Sequence, residues 1–177
     1  MRKTKKQIAQ IAKNIKLLIL DVDGVLTDGS IILDNEGNEF KAFHVRDGHG
    51  MVMLQRAGVK IAIITGRESN VVNRRAKELG ITEIYQGRNK KAETLDRIIK
   101  KLGLTVDEAA YIGDDIVDIP VLRKVGLPIT VKDADDLTKS YAILVTGNRG
   151  GRGAVREVCD LLLRSKGLWE SMFEGLS

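Results

Sequence analysis

The chain has 177 residues and a net charge of +5, with 43% hydrophobic and 30% charged residues. That suits one soluble domain with a substantial core, and no apolar run approaches the roughly 18 residues needed to span a bilayer. Basic residues are scattered and aromatics are few, so a stacking surface for nucleic acid is not expected, whereas a mild positive excess suits a small anionic substrate. The single cysteine, Cys159, excludes an internal disulfide and fits a reducing cytoplasm.

The first segment, MRKTKKQIAQIAKNI, is basic but lacks the apolar stretch and cleavage site of a signal peptide. Ile8, Ile11, Ala12 and Ile15 fall on one side of a helical wheel, which predicts a helical extension over 1–15. Residues 17–20, LLIL, form a short apolar run ending at Asp21, as expected for a strand buried on both faces. Segment 30–45, SIILDNEGNEFKAFHV, has two strand-like runs around Asn35-Glu36-Gly37-Asn38, which predicts a β-hairpin inserted after the first strand. Further strand runs lie at 59–64, 83–85, 109–112, 127–131 and 142–145. Between them, Val71, Val72, Ala76 and Leu79 make one helical stripe ended by Gly80, and Leu95, Ile98, Ile99 and Leu102 make another ended by Gly103. The glycine cluster 147–153, GNRGGRG, reads as a mobile loop before a helix over 154–163 and a tail over 164–177. Cys159 lies in that helix and reads as a small buried hydrophobe. The alternation predicts an α/β fold with a central parallel sheet and a single domain over 1–177.

In such a sheet, ligands bind beyond the carboxyl ends of the strands. Three strand ends carry reactive groups: Asp21 and Asp23, then Thr65, Gly66 and Arg67, then Asp114, Asp115 and Asp118. Each motif alone has an ordinary reading as a turn or a helix cap, and Lys91 alone reads as a surface lysine. Together they follow the order a phosphoryl-transfer site needs. Converging carboxylates repel one another unless a cation joins them, and oxygen-only ligands suit Mg²⁺.

These residues resemble the haloacid dehalogenase superfamily. DVDGVLTD matches its first motif, IITG its second, Lys91 its third and GDDIVD its fourth. With KAFHVRDGHG, YQG before Lys91, YIGDDIVDIPVL and GGRGAVREVCDLLL, the chain after about residue 15 is similar to the family of 3-deoxy-D-manno-octulosonate 8-phosphate phosphatases. The resemblance implies a Rossmann-like three-layer sandwich without a cap domain, a homotetramer with a core of hairpin insertions, and a role in lipopolysaccharide precursor synthesis. It implies Asp21 as nucleophile and Asp23 as acid and base, with Thr65 and Lys91 on the phosphate. Mg²⁺ would be held by the carboxylates of Asp21 and Asp114 and the backbone carbonyl of Asp23. Asp23 must hold a proton as the leaving oxygen departs, which neighbouring carboxylates would favour. Asp115 is expected to orient Lys91 or a metal-bound water, with Gly66 and Asp118 in support. Contacts to the sugar acid map onto His44, Val45, Arg46, Asp47, Gly48, Arg67 and Arg75. Loop 147–153 and the tail are candidates for covering the cleft, with help from neighbouring subunits. Two other readings stay open: a phosphatase for a related nine-carbon keto-sugar phosphate, and a catalytically silent domain that oligomerises or regulates.

Overall fold

The computed structural model describes residues 3–174. The first helix, α1 (Lys5–Asn14), begins with a capping box in which Thr4 and Gln7 satisfy each other's backbone amides. Ile8 and Ala12 are buried and Ile15 closes the helix inside the core, so the basic face alone meets solvent. Most of the 1–15 extension is therefore part of the fold; Met1 and Arg2 lie outside the described residues.

The chain continues through β1 (Leu17–Leu20), β2 (Ile32–Leu33), β3 (Glu39–Phe40), α2 (Val45–Arg56), β4 (Lys60–Ile64), α3 (Asn70–Glu78), β5 (Glu83–Tyr85) and α4 (Lys91–Leu102). It then forms β6 (Ala109–Gly113), α5 (Ile119–Leu122), β7 (Leu127–Thr130), α6 (Asp136–Tyr141), β8 (Leu144–Val145) and α7 (Ala154–Ser165). Six strands form one parallel sheet in the order β5-β4-β1-β6-β7-β8. Its residues alternate between two cores. Leu18 and Leu20 of β1 join Ile61, Ile63, Ala110 and Ile112 beneath α1, α2 and α7. Leu17 and Ile19 join Ala62, Ile64 and Tyr111 beneath Leu95 and Ile98 of α4 and Val121 and Leu122 of α5. Helices thus cover both faces, as the apolar strand runs require. Cys159 is buried within α7 among Val155, Val158 and Leu162.

This topology sets the position of the site. β1 lies at the centre, and the chain moves to one side of it for β4 and β5 and to the other for β6 to β8. The carboxyl end of β1 is the switch point, where the loops after β1, β4 and β6 splay apart and leave a crevice. Leu20 pairs with both Ile63 and Ile112, so Asp21, Thr65 and Asp114 leave the sheet at nearly the same level.

Three segments differ from the sequence reading. The hairpin is real, but its strands are two residues long, and Val45 begins α2 instead of ending the second strand. Asp34 organises the turn by accepting from the amides of Glu36 and Asn38, and Ile31, Ile32, Leu33 and Phe40 stay exposed. The glycine cluster is not a free loop. Gly150 and Gly151 are buried against the turn after β1, and the Gly151 amide donates to the Val25 carbonyl at 2.9 Å. Glu157 of α7 holds the amides of Gly147 and Asn148, and Asp133 holds that of Gly150. The start of the expected tail is also structured: 164 and 165 belong to α7, and Leu168, Trp169 and Met172 pack on the core; residues 175–177 lie outside the described residues.

A Cβ at Gly150 would overlap the Gly24 carbonyl, which is backbone and cannot rotate away. Gly150→Ala is expected to destabilise the protein by about 2 kcal/mol or more in urea titration, as overpacking does. It should also lower activity, because the displaced backbone carries Asp21 and Asp23.

Candidate active site

The turn after β1 is anchored from inside. Val22 and Val25 are fully buried, and the amides of Val25, Leu26 and Thr27 all donate to the Val22 carbonyl. Gly24 has a φ of 83° and lies so close to Asp114 that any side chain there would overlap its carboxylate. The result is a tight loop that projects Asp21 and Asp23 from adjacent points of the rim.

Asp21 is nearly buried. Its Oδ1 accepts from the Val22 amide at 2.7 Å and its Oδ2 from Lys91 Nζ at 2.6 Å. Lys91, the first residue of α4, also donates to Asp118 Oδ1 at 2.7 Å. Burial opposes the ammonium charge, but the carboxylates of Asp21 and Asp118 outweigh it and hold Lys91 above its usual range. Asp118 is wholly buried and saturated with donors: the Tyr111 hydroxyl at 2.6 Å, the Asp114 amide at 2.9 Å and the Asp115 amide at 3.3 Å, besides Lys91. Asp118, and not Asp115, therefore orients Lys91. Asp115 turns away to cap the short helical turn at 116–118 through the Ile116 amide.

Among the described residues, Asp114 is the carboxylate of this cluster with an unpartnered buried oxygen. Its Oδ1 is buried and takes no hydrogen bond. Burial, together with repulsion from Asp21 and Asp118, pushes its pKa up to about 8. Asp21 is raised to about 6, chiefly by burial, with Lys91 opposing the rise. Carboxylate oxygens of Asp21, Asp114 and Asp118 lie within 4.8 Å of one another. Asp118 has no lone pair to spare, which leaves Asp21 and the orphaned Asp114 to face a cation. This hard, all-oxygen donor set fits Mg²⁺.

The rest of the crevice is a cleft of about 550 Å³, within the range of small-molecule sites. Thr65, Gly66 and Arg67 line one side after β4, and Arg88 and Asn89 line the approach to Lys91. Asp23 stands at the mouth. Its neighbours are cations, Lys41 and Arg67, not the carboxylates expected from the sequence.

A family model described as haloacid dehalogenase-like hydrolase matches residues 46–126, a stretch that includes Thr65, Lys91 and Asp114. The chain is 51% identical over 156 residues to 3-deoxy-D-manno-octulosonate 8-phosphate phosphatase KdsC of Escherichia coli K12, covering 88% of this chain and 83% of that protein. The Yersinia pestis protein of the same name is 49% identical over the same length. The chain belongs to the 3-deoxy-D-manno-octulosonate 8-phosphate phosphatase family of haloacid dehalogenase-like hydrolases. Among solved structures, the phosphatase of this family from Moraxella catarrhalis, in complex with magnesium ion, phosphate ion and KDO, superposes with a TM-score of 0.95 at 45% identity. That match covers 97% of this chain and 99% of the other. The Yersinia pestis structure gives a TM-score of 0.91 at 47% identity, over 92% of this chain and 88% of the other.

In this phosphatase family member, some of the anticipated substrate contacts stand apart from the cleft. His44 and Arg46 line a separate surface groove beside α7. Val45 is exposed on the first turn of α2. Asp47 has both oxygens committed: they accept from the amides of Arg156 at 2.7 Å and Gly153 at 3.3 Å and so cap the start of α7. Gly48 is buried against Arg75, whose guanidinium lies 6.0 Å from the centre of the Phe43 ring and pairs with Glu78. Of the expected sugar contacts, Arg67 alone shares the cleft with Asp23 and Lys91. Conversely, Arg88, Asn89, Tyr111 and Lys41 escaped the sequence reading. Arg88 and Asn89 lie in the GRNKK run beside Lys91, where proximity was a usable signal; Lys41 and Tyr111 open the KAFHVRDGHG and YIGDDIVDIPVL runs, but nothing in those runs assigns either a role.

Two outcomes follow from this geometry. Asp118→Ala would strip Lys91 of one carboxylate and leave the Tyr111 hydroxyl and two amides unpaired; a loss of roughly 3 kcal/mol is expected in denaturant titration. The second concerns pH. Because the Asp114 pKa is raised on folding, the metal-free protein binds extra protons, and that contribution to stability fades as pH rises from about 4 through about 8. A divalent cation competes with those protons. The rise in Tm on adding Mg²⁺ should therefore be larger at about pH 8.5 than at about pH 5.5, as differential scanning fluorimetry would measure.

Proposed function

We propose that the chain hydrolyses 3-deoxy-D-manno-octulosonate 8-phosphate to the free sugar acid and phosphate, through an aspartyl-phosphate on Asp21. The observation that carries this reading is the buried cluster at the sheet switch point. Asp21 is held between Lys91 and an unpaired Asp114 at the floor of a cleft sized for a phosphosugar, in a chain about half identical to named phosphatases for that substrate.

The chemistry follows from the residues. A phosphate monoester and a carboxylate are both anionic, so the site must cancel charge before Asp21 can approach phosphorus. Lys91 supplies one positive charge, Arg88 and Arg67 lie along the cleft, and the Thr65 hydroxyl and the backbone beside Gly66 complete a cradle for the phosphate oxygens. Magnesium, held by the Asp21 and Asp114 carboxylates and the Asp23 carbonyl, would supply further charge neutralisation and orient the phosphate. An Asp21 oxygen then bonds to phosphorus while the ester P–O bond breaks. The electron pair leaves with the sugar oxygen, which takes a proton from Asp23. In the second half, water bonds to phosphorus, gives its proton to Asp23 and returns the electron pair to Asp21.

The sugar contacts that lie outside the cleft of their own subunit suit a homotetramer in which neighbours complete one another's sites. The exposed apolar residues Ile31, Ile32, Leu33 and Phe40 on the hairpin support such an assembly. Among the described residues no helix is long and apolar enough to cross a membrane, which accords with a cytoplasmic step in lipopolysaccharide precursor synthesis. Asp115 would support a metal-bound water from the rim of the cleft.

The test is phosphate release with Mg²⁺ from a panel of phosphosugars that includes the octulosonate 8-phosphate and a nine-carbon keto-sugar 9-phosphate. The octulosonate ester is expected to have the highest kcat/KM, and Asp21→Asn to lower kcat at least ~1,000-fold. Preference for the nine-carbon ester would replace the substrate, and unchanged turnover in Asp21→Asn would remove the proposed nucleophile.

A further inference from the structure

Lys41 lies just beyond β3, on the arm of the hairpin that returns to the body of the fold. Its side chain is only 1% exposed, and its ammonium lies 2.5 Å from Asp23 Oδ1 and 3.3 Å from Glu39 Oε1. Glu39 is itself fixed by Arg67 Nη2 at 3.2 Å and by the Ser69 hydroxyl. Arg67 Nε is 3.7 Å from Asp23 Oδ2, beyond hydrogen-bonding range. The two oxygens of Asp23 therefore differ. Oδ1 is engaged by a buried ammonium that is braced from behind, whereas Oδ2 takes no hydrogen bond among the described residues.

We infer that Lys41 is a positioning residue for the proton-transfer steps, acting by holding Asp23 Oδ1 so that Oδ2 alone carries the proton. This rests on the reading of Asp23 as acid and base given above. An ammonium has only donors to offer, and Oδ1 can accept from it whether or not Oδ2 is protonated. The carboxyl group thus keeps one orientation through both half-reactions. In the first, the proton on Oδ2 passes to the leaving sugar oxygen as the Asp21–phosphorus bond forms and the ester P–O bond breaks. In the second, Oδ2 takes a proton from water as the water oxygen bonds to phosphorus and the Asp21–phosphorus bond breaks. A freely rotating carboxyl would lose both transfers part of the time without altering the nucleophile.

Leaving-group dependence separates this role from a purely structural one. Nitrophenolate needs no proton to depart, whereas a sugar alkoxide does. In the full-length chain with Mg²⁺, Lys41→Met should release nitrophenolate from p-nitrophenyl phosphate in a first-turnover burst at the wild-type rate, then turn over about 10-fold or more slowly. On the octulosonate 8-phosphate the first turnover itself should slow by about 100-fold, within the range of general acid catalysis. Lys41→Arg, which keeps a donor toward Oδ1, should recover most of both losses. Equal slowing of the burst and of the sugar-phosphate reaction would show that Lys41 merely braces the hairpin and would overturn the inference, as would no change in either. If Lys41→Met does not fold, Lys41→Gln, which keeps a neutral donor toward Oδ1, decides: a wild-type burst with selectively slowed proton-dependent steps supports positioning, and uniform loss or no change opposes it. A wild type inactive on both substrates would overturn the phosphatase reading first, and this one with it.

Discussion

The site is governed by repulsion among carboxylates that have been taken out of water. Asp21, Asp114 and Asp118 meet at the ends of two paired strands, with oxygens within 4.8 Å of one another. Buried anions at that spacing are tolerable only if cations join them. The protein supplies one, Lys91, and assigns it to Asp21 and Asp118. Asp118 is then saturated by Tyr111 and two backbone amides, which fixes the loop after β6. Asp114 alone is left unsatisfied, its pKa raised to about 8. Three carboxylates and one ammonium leave the cluster formally two positive charges short, which is what makes the site receptive to Mg²⁺, and the folded protein carries that shortfall as a local cost.

Backbone contacts keep that cluster in place. Gly24 lets the turn after β1 close on Asp114, and Gly113 lets β6 pass beside the Asp118 side chain. Gly150 and Gly151 let a second loop seat itself against the same turn. The catalytic carboxylates are thus supported from three directions by main chain, which is stiffer than side-chain packing. On the open side, support comes from charges: Lys41, Glu39 and Arg67 join the hairpin, the mouth of the cleft and the loop after β4.

Much of this was legible in the chain. The central strand, the order of the parallel segments and the gathering of Asp21, Thr65, Lys91 and Asp114 at one sheet edge follow from apolar runs that end in reactive residues. The sequence says less where tertiary contact decides. Glycine-rich 147–153 reads as loose, because nothing local reveals that its glycines are there to admit the backbone of residues 24–28. The resemblance places Asp47 among the sugar contacts, yet both its oxygens accept from amides at the start of α7, more than a hundred residues away. Lys41 opens the KAFHVRDGHG run that carries the resemblance, but nothing local assigns it a role. Its role depends on an approach to Asp23 that only the folded hairpin creates.

The placement of α7 has a consequence for how the protein is made. This helix packs on α2 and α1, and the loop leading into it is the one that seats against the turn bearing Asp21 and Asp23. During vectorial synthesis the β1 strand and its aspartates leave the ribosome well over a hundred residues before their support does. Until α7 emerges, the face of the sheet that it shares with α1 and α2 is only partly covered, and the nucleophile's loop lacks the backing of Gly150 and Gly151. Completion of the core and of the backing for the site's first loop therefore both depend on the same late, C-terminal helix.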